Sequence, residues 1–408
     1  MVIRDLFCER FGSKDYRDDR VIDYIYPKKI LLSGSAEEPE ALLDPSSAQA
    51  TLESGKACVL KKDGFVLIDF GFEMQGGIQI VTDIWEYDTD NTARVRVRFG
   101  ESAMECMADS APEKRGRKNA TNDHAIRDGI HLVSWLGMTE IGNTGFRFVR
   151  IDLLDDISLP LKCVRAKFQY RDLKYLGSFE CDDERLNDIW KTAAYTVQLN
   201  MQEYVWDGVK RDRLVWIGDM HPETSTIQYI FGDQKCVRDS LDLIRDNTPL
   251  PNVMNGIPAY SLWWLLIHHD RFIHYGDLEY LEQQHSYITE LLHYFSGYIT
   301  ETGEISIENC FLDWPSSTNP DGQRAGVHAL FCLVCDGCAE MLFRTSERLI
   351  LRVSARSNSE STVILTTASN RRLRFKSLRD LPIRTTRMTN SSERTAFTAF
   401  RPSSVIIS

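Results

Sequence analysis

Between Gly64 and about Lys167 the apolar positions recur with the period of strands. Phe65-Val-Leu-Ile-Asp-Phe70 is a branched apolar run, and Gln75-Gly-Gly-Ile-Gln-Ile-Val-Thr-Asp83 resumes it after a turn. Arg94-Val-Arg-Val-Arg98 alternates strictly, which puts one face on a core and the other in water. Phe146-Arg-Phe-Val-Arg-Ile-Asp152 repeats the pattern, and Ala111–Gly116 reads as a loop. Short strands with glycine turns predict a β-sandwich over 61–175. Residues 1–60 read as a peripheral segment, with turns at Ser35–Glu40 and Asp44–Ser47.

The period changes near Phe179. Asp182 or Asp183 can cap a helix whose apolar face is Leu186, Ile189, Trp190, Ala193 and Val197. Helical stretches follow at about 223–231, 235–244, 260–270, 277–297 and 326–342, separated by glycine-marked loops. This alternation predicts stacked helical hairpins over 176–350. On a helix, adjacent Trp263 and Trp264 cannot both face the core, and His268 and His269 read as packed or hydrogen-bonded side chains.

Composition adds limits. A chain of 408 residues calls for two or three domains, and 43% apolar residues can fill their cores. The net charge of −11 argues against nucleic acid and anionic membrane as partners. No basic start with an apolar run opens the chain, and no stretch reads as long enough to span a bilayer. Ten scattered cysteines form no dense framework, so reduced thiols and a cytoplasmic location are expected. Cys332, Cys335 and Cys338 have a spacing that could seed a metal site. On a helix they also serve as small apolar residues, and buried packing is the expectation.

The densest chemistry is Asp207-Gly-Val-Lys-Arg-Asp212-Arg-Leu-Val-Trp216-Ile-Gly-Asp219. Gly208 and Gly218 argue against one regular helix, and a loop at a cavity mouth would let the three aspartates converge. Carboxylates brought together raise one another's proton affinity, which keeps an acid protonated near neutral pH. Glycoside hydrolysis needs such an acid for the departing oxygen and a second carboxylate to deliver water or attack carbon. Trp216 offers a flat face to a sugar ring. The same residues also fit a surface loop in which Lys210, Arg211 and Arg213 neutralise the aspartates.

This motif resembles that of the bacterial α-L-rhamnosidases: an Asp, a short basic stretch, an acidic residue before Arg-Leu, then Trp-x-Gly-Asp. Softer likeness lies in Leu67–Glu73, Arg98–Ser102, Gly145–Ile151, Gly177–Asp183 and Leu312-Asp-Trp314. The resemblance implies a multidomain β + α chain, a β-sandwich followed by an (α/α)6 barrel. It implies hydrolysis of terminal α-L-rhamnosides with inversion, a rhamnose-containing glycan as partner, and no cofactor or catalytic metal. Asp212 corresponds to the general acid, Asp207 and Asp219 to sugar-binding residues, Asp313 and Trp314 to pocket residues, and Trp216 to a residue at the cavity's border.

Two departures stand out. Many members have Glu at the position of Asp212, and the shorter arm withdraws the proton. The pattern also supplies about six helices before Leu342, half of the implied barrel, and nothing matching the part that carries the family's general base. A truncated or frameshifted barrel is therefore expected, with a noncatalytic carbohydrate-binding protein as the alternative function. Residues 351–408 hold ten Arg and one Lys against Asp380, Glu360 and Glu393, a net of +8 that leaves −19 for the rest. With nineteen Ser or Thr and no sustained apolar period, this stretch reads as a disordered or aberrant tail.

Overall fold

A computed structural model describes residues 18–45, 55–86, 90–108, 127–301 and 303–357. The loop expected at Ala111–Gly116 and the tail beyond Ser357 lie outside the described residues. The chain divides into two compact units, Met1–Arg352 and Val353–Ser408. Everything below concerns the first, apart from the final turns of its last helix.

A β-rich region precedes a helical one. The strands are β1 (Val21–Ile25), β2 (Lys29–Glu37), β3 (Cys58–Thr82), β4 (Thr92–Gly100), β5 (Arg127–Ser134), β6 (Met138–Leu153) and β7 (Leu159–Tyr170). Hydrogen bonding joins all seven in one sheet, ordered β1-β7-β3-β6-β4-β5 with β2 on β3. The two runs read as separate strands, at Phe65–Phe70 and Gln75–Asp83, belong to the single long β3. What looked like a turn between them is a register shift between Asp69 and Met74 in the pairing with β6. Gly76, at φ +145, lets β7 approach so closely that a Cβ there would sit 1.9 Å from the Lys167 carbonyl oxygen.

Alternation on β4 behaves as read. Ala93, Val95, Val97 and Phe99 are buried. Arg94 reaches Asp155 at 2.6 Å and Arg98 reaches Asp152 at 3.0 Å on the other face. Phe70, Phe99 and Phe146 meet edge to face inside the sheet's core. The segment read as peripheral contributes strands: β1 pairs with β7 and β2 with β3, while Leu42 is buried in the same core.

A short α1 (Ala103–Met107) follows β4. The helical region holds α2 (Glu184–Asn200), α3 (Ile217–Ile230), α4 (Lys235–Asp246), α5 (Pro258–Tyr275), α6 (Leu278–Ser296) and α7 (Pro320–Ser357). Asp183 caps α2 through the Arg185 N–H, Asp277 caps α6 through the Tyr280 N–H, and Gly276 at φ +66 ends α5. Helix α3 packs chiefly along α5. Trp264 is fully buried and donates to the Leu241 carbonyl, whereas Trp263 lies against His221. His268 is buried against Trp264, and its imidazole is held neutral by that burial.

Helix α7 corrects one expectation. Pro320–Thr345 is long and apolar enough to cross a membrane by length and composition alone, although no stretch of the sequence was read that way. Cysteine, glycine and alanine between the larger residues raise its hydropathy. Val327, Leu330, Phe331, Val334, Cys338 and Met341 pack into the helical core. Burial pushes the Cys335 thiol up to about 11 and Cys338 higher still, so these sulfurs stay protonated. Among the described residues, no group of three or more His, Cys, Asp or Glu is placed to hold a metal ion.

Candidate functional site

The acidic segment is a loop that runs into a helix. Asp207 closes the loop on itself: its N–H donates to the Leu214 carbonyl at 3.1 Å, and its Oδ1 accepts from the Leu214 N–H at 2.9 Å. At the tip, the Arg213 N–H donates to the Arg211 carbonyl at 2.6 Å. That bend holds Asp212 at φ +46 and Arg213 at φ +58. Two successive left-handed residues other than glycine cost about 1–2 kcal/mol each, so the surroundings must hold them there.

They do so from the sheet side. Val209 is buried in the sheet's core, and its carbonyl accepts from the Gly145 N–H at 2.8 Å. Lys210 is 2% exposed and places its Nζ 2.5 Å from Glu105 Oε2 on α1 and 3.3 Å from the Phe99 carbonyl. Arg213 donates to the Asn143 carbonyl. Gly145 has no room for a side chain, because a Cβ would lie 2.5 Å from Val209. Lys210 and Arg213 thus anchor the loop to the sheet side, and Arg211 lies 3.8 Å from Asp212.

Beyond the loop, α3 begins at Ile217, so Gly218 and Asp219 are helical and not part of the expected loop. Gly218 is required by Tyr260, whose ring would lie 2.4 Å from an added Cβ. This close approach brings the Tyr260 hydroxyl within electrostatic reach of Asp219, where it opposes the rise of that carboxyl. The Asn255 side chain ties the next loop to the same place: it accepts from the Ile217 N–H at 3.1 Å and donates to the Val215 carbonyl at 3.0 Å. Trp216 precedes the helix edge-on to Tyr260, and its buried indole N–H has no hydrogen-bond partner among the described residues.

Electrostatics link the carboxyls. Burial pushes Asp207 up to about 6; the Leu214 N–H opposes this, and the charges of Asp212 and Asp219 add to the rise. Asp219 is raised too, mainly by burial, with Asp212 contributing. One turn further along α3, burial pushes Glu223 up to about 8, against the Asn200 amide that donates to its Oε1 at 2.9 Å. Asp207, Asp212, Asp219 and Glu223 therefore share one electrostatic neighbourhood.

Asp313 and Trp314 sit differently. Asp313 accepts from the Ser316 N–H within its own turn, at 3.0 Å, and Trp314 is 76% exposed beside Phe311. No contact joins them to the three aspartates among the described residues.

Spacing and motif alone assign Glu223 and Tyr260 no role. Their part comes from tertiary approach, and the one local signal is that Asp219 and Glu223 fall on the same helix face.

Glu223 yields a pH-dependent expectation. Its proton is held more tightly in the folded chain than at the ordinary glutamate value of 4.5. The stability this contributes is complete below about 4.5 and is lost as pH rises through about 8. Glu223→Gln keeps an acceptor for Asn200 and never ionises. Urea titration should find the variant about 1–2 kcal/mol more stable than the parent at pH 8.5, allowing for solvent screening, and no different at pH 4. Equal stability at pH 8.5 would overturn the assignment of a buried proton.

Residues 174–335 match the sequence model of a family described as the bacterial alpha-L-rhamnosidase 6 hairpin glycosidase domain. Among solved structures, a rhamnosidase from Klebsiella oxytoca with rhamnose bound aligns at TM-score 0.60 and 16% identity, over 85% of this chain and 72% of that one. A GH78 family rhamnosidase of Bacillus sp. GL1 aligns at 0.53 and 19% identity, over 76% of this chain and 33% of that one. A Streptomyces avermitilis alpha-L-rhamnosidase complexed with L-rhamnose aligns at 0.53 and 16% identity, over 84% and 32%. The chain thus spans about a third of the length of the last two. At these identities the likeness is one of fold. No curated protein sequence matches the chain.

Proposed function

Residues 174–335 carry a bacterial α-L-rhamnosidase six-hairpin glycosidase domain, and from that premise we propose that the chain acts on terminal α-L-rhamnosides or similar neutral glycosides by an inverting acid–base mechanism. On this reading the sheet forms a β-sandwich over 61–175, and α2 to α7 form part of an (α/α)6 barrel over 176–350. The observation that carries the reading is the electrostatic convergence of Asp207 and Asp212 from the loop with Asp219 from α3.

Asp212, on the strained tip, protonates the departing oxygen. Asp207 and Asp219 hold ring hydroxyls, with Tyr260 orienting the second. Trp216 borders the ring, and Asp313 and Trp314 belong to the loop that closes the pocket. One observation favours a second assignment of the acid. Asp207 already holds a proton up to about pH 6, and its Oδ2 is not engaged by Leu214. The free thiols at the described cysteines are in keeping with a cytoplasmic location.

The test is direct. The chain should bind L-rhamnose with a change in tryptophan fluorescence and release the phenol from an aryl α-L-rhamnoside. Binding without release would make it a noncatalytic carbohydrate-binding protein, and no binding at millimolar sugar would overturn the reading.

A further inference from the structure

Helices α3, α5 and α7 meet at a chain of imidazoles and carboxylates. His269 and Asp270 are neighbours on α5. Asp270 Oδ2 lies 3.2 Å from His221 Nε2 on α3, and its Oδ1 lies 3.3 Å from His269 Nδ1. The other nitrogen of the His269 ring, Nε2, lies 3.7 Å from Glu340 Oε2 on α7. We propose that His269 is a proton-operated clasp between α5 and α7, closed by the imidazolium and opened by the neutral ring. The clasp holds whether or not the chain binds a rhamnoside.

Ring geometry is the first argument. Both nitrogens of His269 face a carboxylate oxygen. A neutral imidazole has one N–H, so it can serve one carboxylate and must turn a lone pair toward the other. The imidazolium donates on both sides. Among the described residues no lysine or arginine pairs with Asp270 or Glu340, which leaves the imidazoles to balance them.

Packing is the second argument. Gly337 is buried where α7 meets the ring, and a Cβ there would lie 2.8 Å from His269 Cγ. The backbone of α7 therefore rests on the imidazole, and the ring's charge sits inside the contact. His221 is backed by Trp263, with ring centres 4.6 Å apart. When His269 loses its proton, the shorter contact to Asp270 keeps the remaining N–H, and the link to α7 opens.

Charge gives the sign. The hydrogen bond to Asp270 raises His269 above the ordinary imidazole value of 6.5, against burial, and Glu340 adds to the rise. Burial would lift Asp270, but bonds from His221 and His269 bring it down to about 2, so it stays ionised. The clasp is fully closed below about 6.5 and opens as pH rises through the higher folded value. The turn of Asp313 and Trp314 leads into α7, so release of the helix reaches that turn.

The experiment uses the whole chain with carbon-13 in its histidine rings, the His269 signal being identified by its loss in His269→Gln. That signal should titrate above 6.5 in the parent and at a lower pH in Glu340→Gln, a change of an exposed side chain that keeps its volume. Hydrogen exchange supplies the second readout. Between pH 6 and pH 8, corrected for the intrinsic rate, the α7 amides from Val327 to Met341 should lose about threefold of their protection relative to those of β6. Glu340→Gln should abolish that pH-dependent loss. A His269 midpoint that Glu340→Gln leaves in place would dismiss the clasp, as would α7 protection that falls equally in parent and variant.

Discussion

Replacing Lys210 with methionine should cost the folded chain about 3–5 kcal/mol at neutral pH. Methionine is close to lysine in length and is flexible, so the loss comes from charge and not from volume. Lys210 is 2% exposed and its partner Glu105 is 12% exposed, so removing the cation leaves a nearly buried carboxylate with no counter-charge. Glu73, which burial pushes up to about 8, and Glu101, also raised by burial, both have Lys210 as the main charge opposing the rise. Without it the charged forms of Glu73 and Glu101 become still harder to hold. A loss of this size is a large share of the 5–15 kcal/mol that holds an ordinary domain together. The deficit should shrink toward pH 4, because acid neutralises carboxylates in general and a missing cation then matters less. The double variant Lys210→Met/Glu105→Gln should recover most of it, because a buried pair replaced on both sides is often neutral. Urea titration of the three proteins at pH 4 and pH 7.5 decides the matter. A single-variant loss below about 1 kcal/mol would mean that Lys210 is solvated and does not anchor the loop.

That anchor shows where the sequence stops speaking. Lys210 and Glu105 are 105 residues apart, and no periodicity connects them. Local rules did better. The alternation of Arg94–Arg98 and a cap at Asp182 or Asp183, of which the fold uses Asp183, were legible because each depends on neighbours in sequence. Strands β1 and β2 escaped notice for a related reason. They expose most of their residues, so neither shows the alternation that marks a half-buried strand. The start of α3 was missed because Gly218 reads as a helix breaker. Its real cause is the Tyr260 ring, which no local rule can supply. The three aspartates were legible as a cluster by their spacing. The ranking of their proton affinities was not, because burial sets it, and burial is a property of the assembled fold.

The same ranking governs the second large effect. Asp212→Asn should lower hydrolysis of an alkyl α-L-rhamnoside by about 10²–10⁴-fold if Asp212 is the proton donor. Asparagine keeps the size of the side chain and can keep the backbone bend, since it tolerates the left-handed conformation at φ +46. Substrate affinity should therefore change little, and the loss should appear in kcat. An aryl substrate with an acidic phenol needs less protonation, so its rate should fall far less than the alkyl one. Asp207→Asn discriminates the two candidate acids. If Asp207 donates, the parent's rate falls tenfold for each pH unit above about 6, the value to which burial lifts that carboxyl. The limb should then vanish in Asp207→Asn, while Asp212→Asn keeps it. If Asp212 donates, Asp207→Asn weakens binding and preserves the alkyl-to-aryl ratio. Removing the charge at position 212 should in turn shift Asp207 downward, because Asp212 is one of the charges raising it. A pH titration of Asp207 in the Asp212→Asn chain reads that coupling without any turnover. An unmoved Asp207 would place the two carboxyls too far apart to share one substrate.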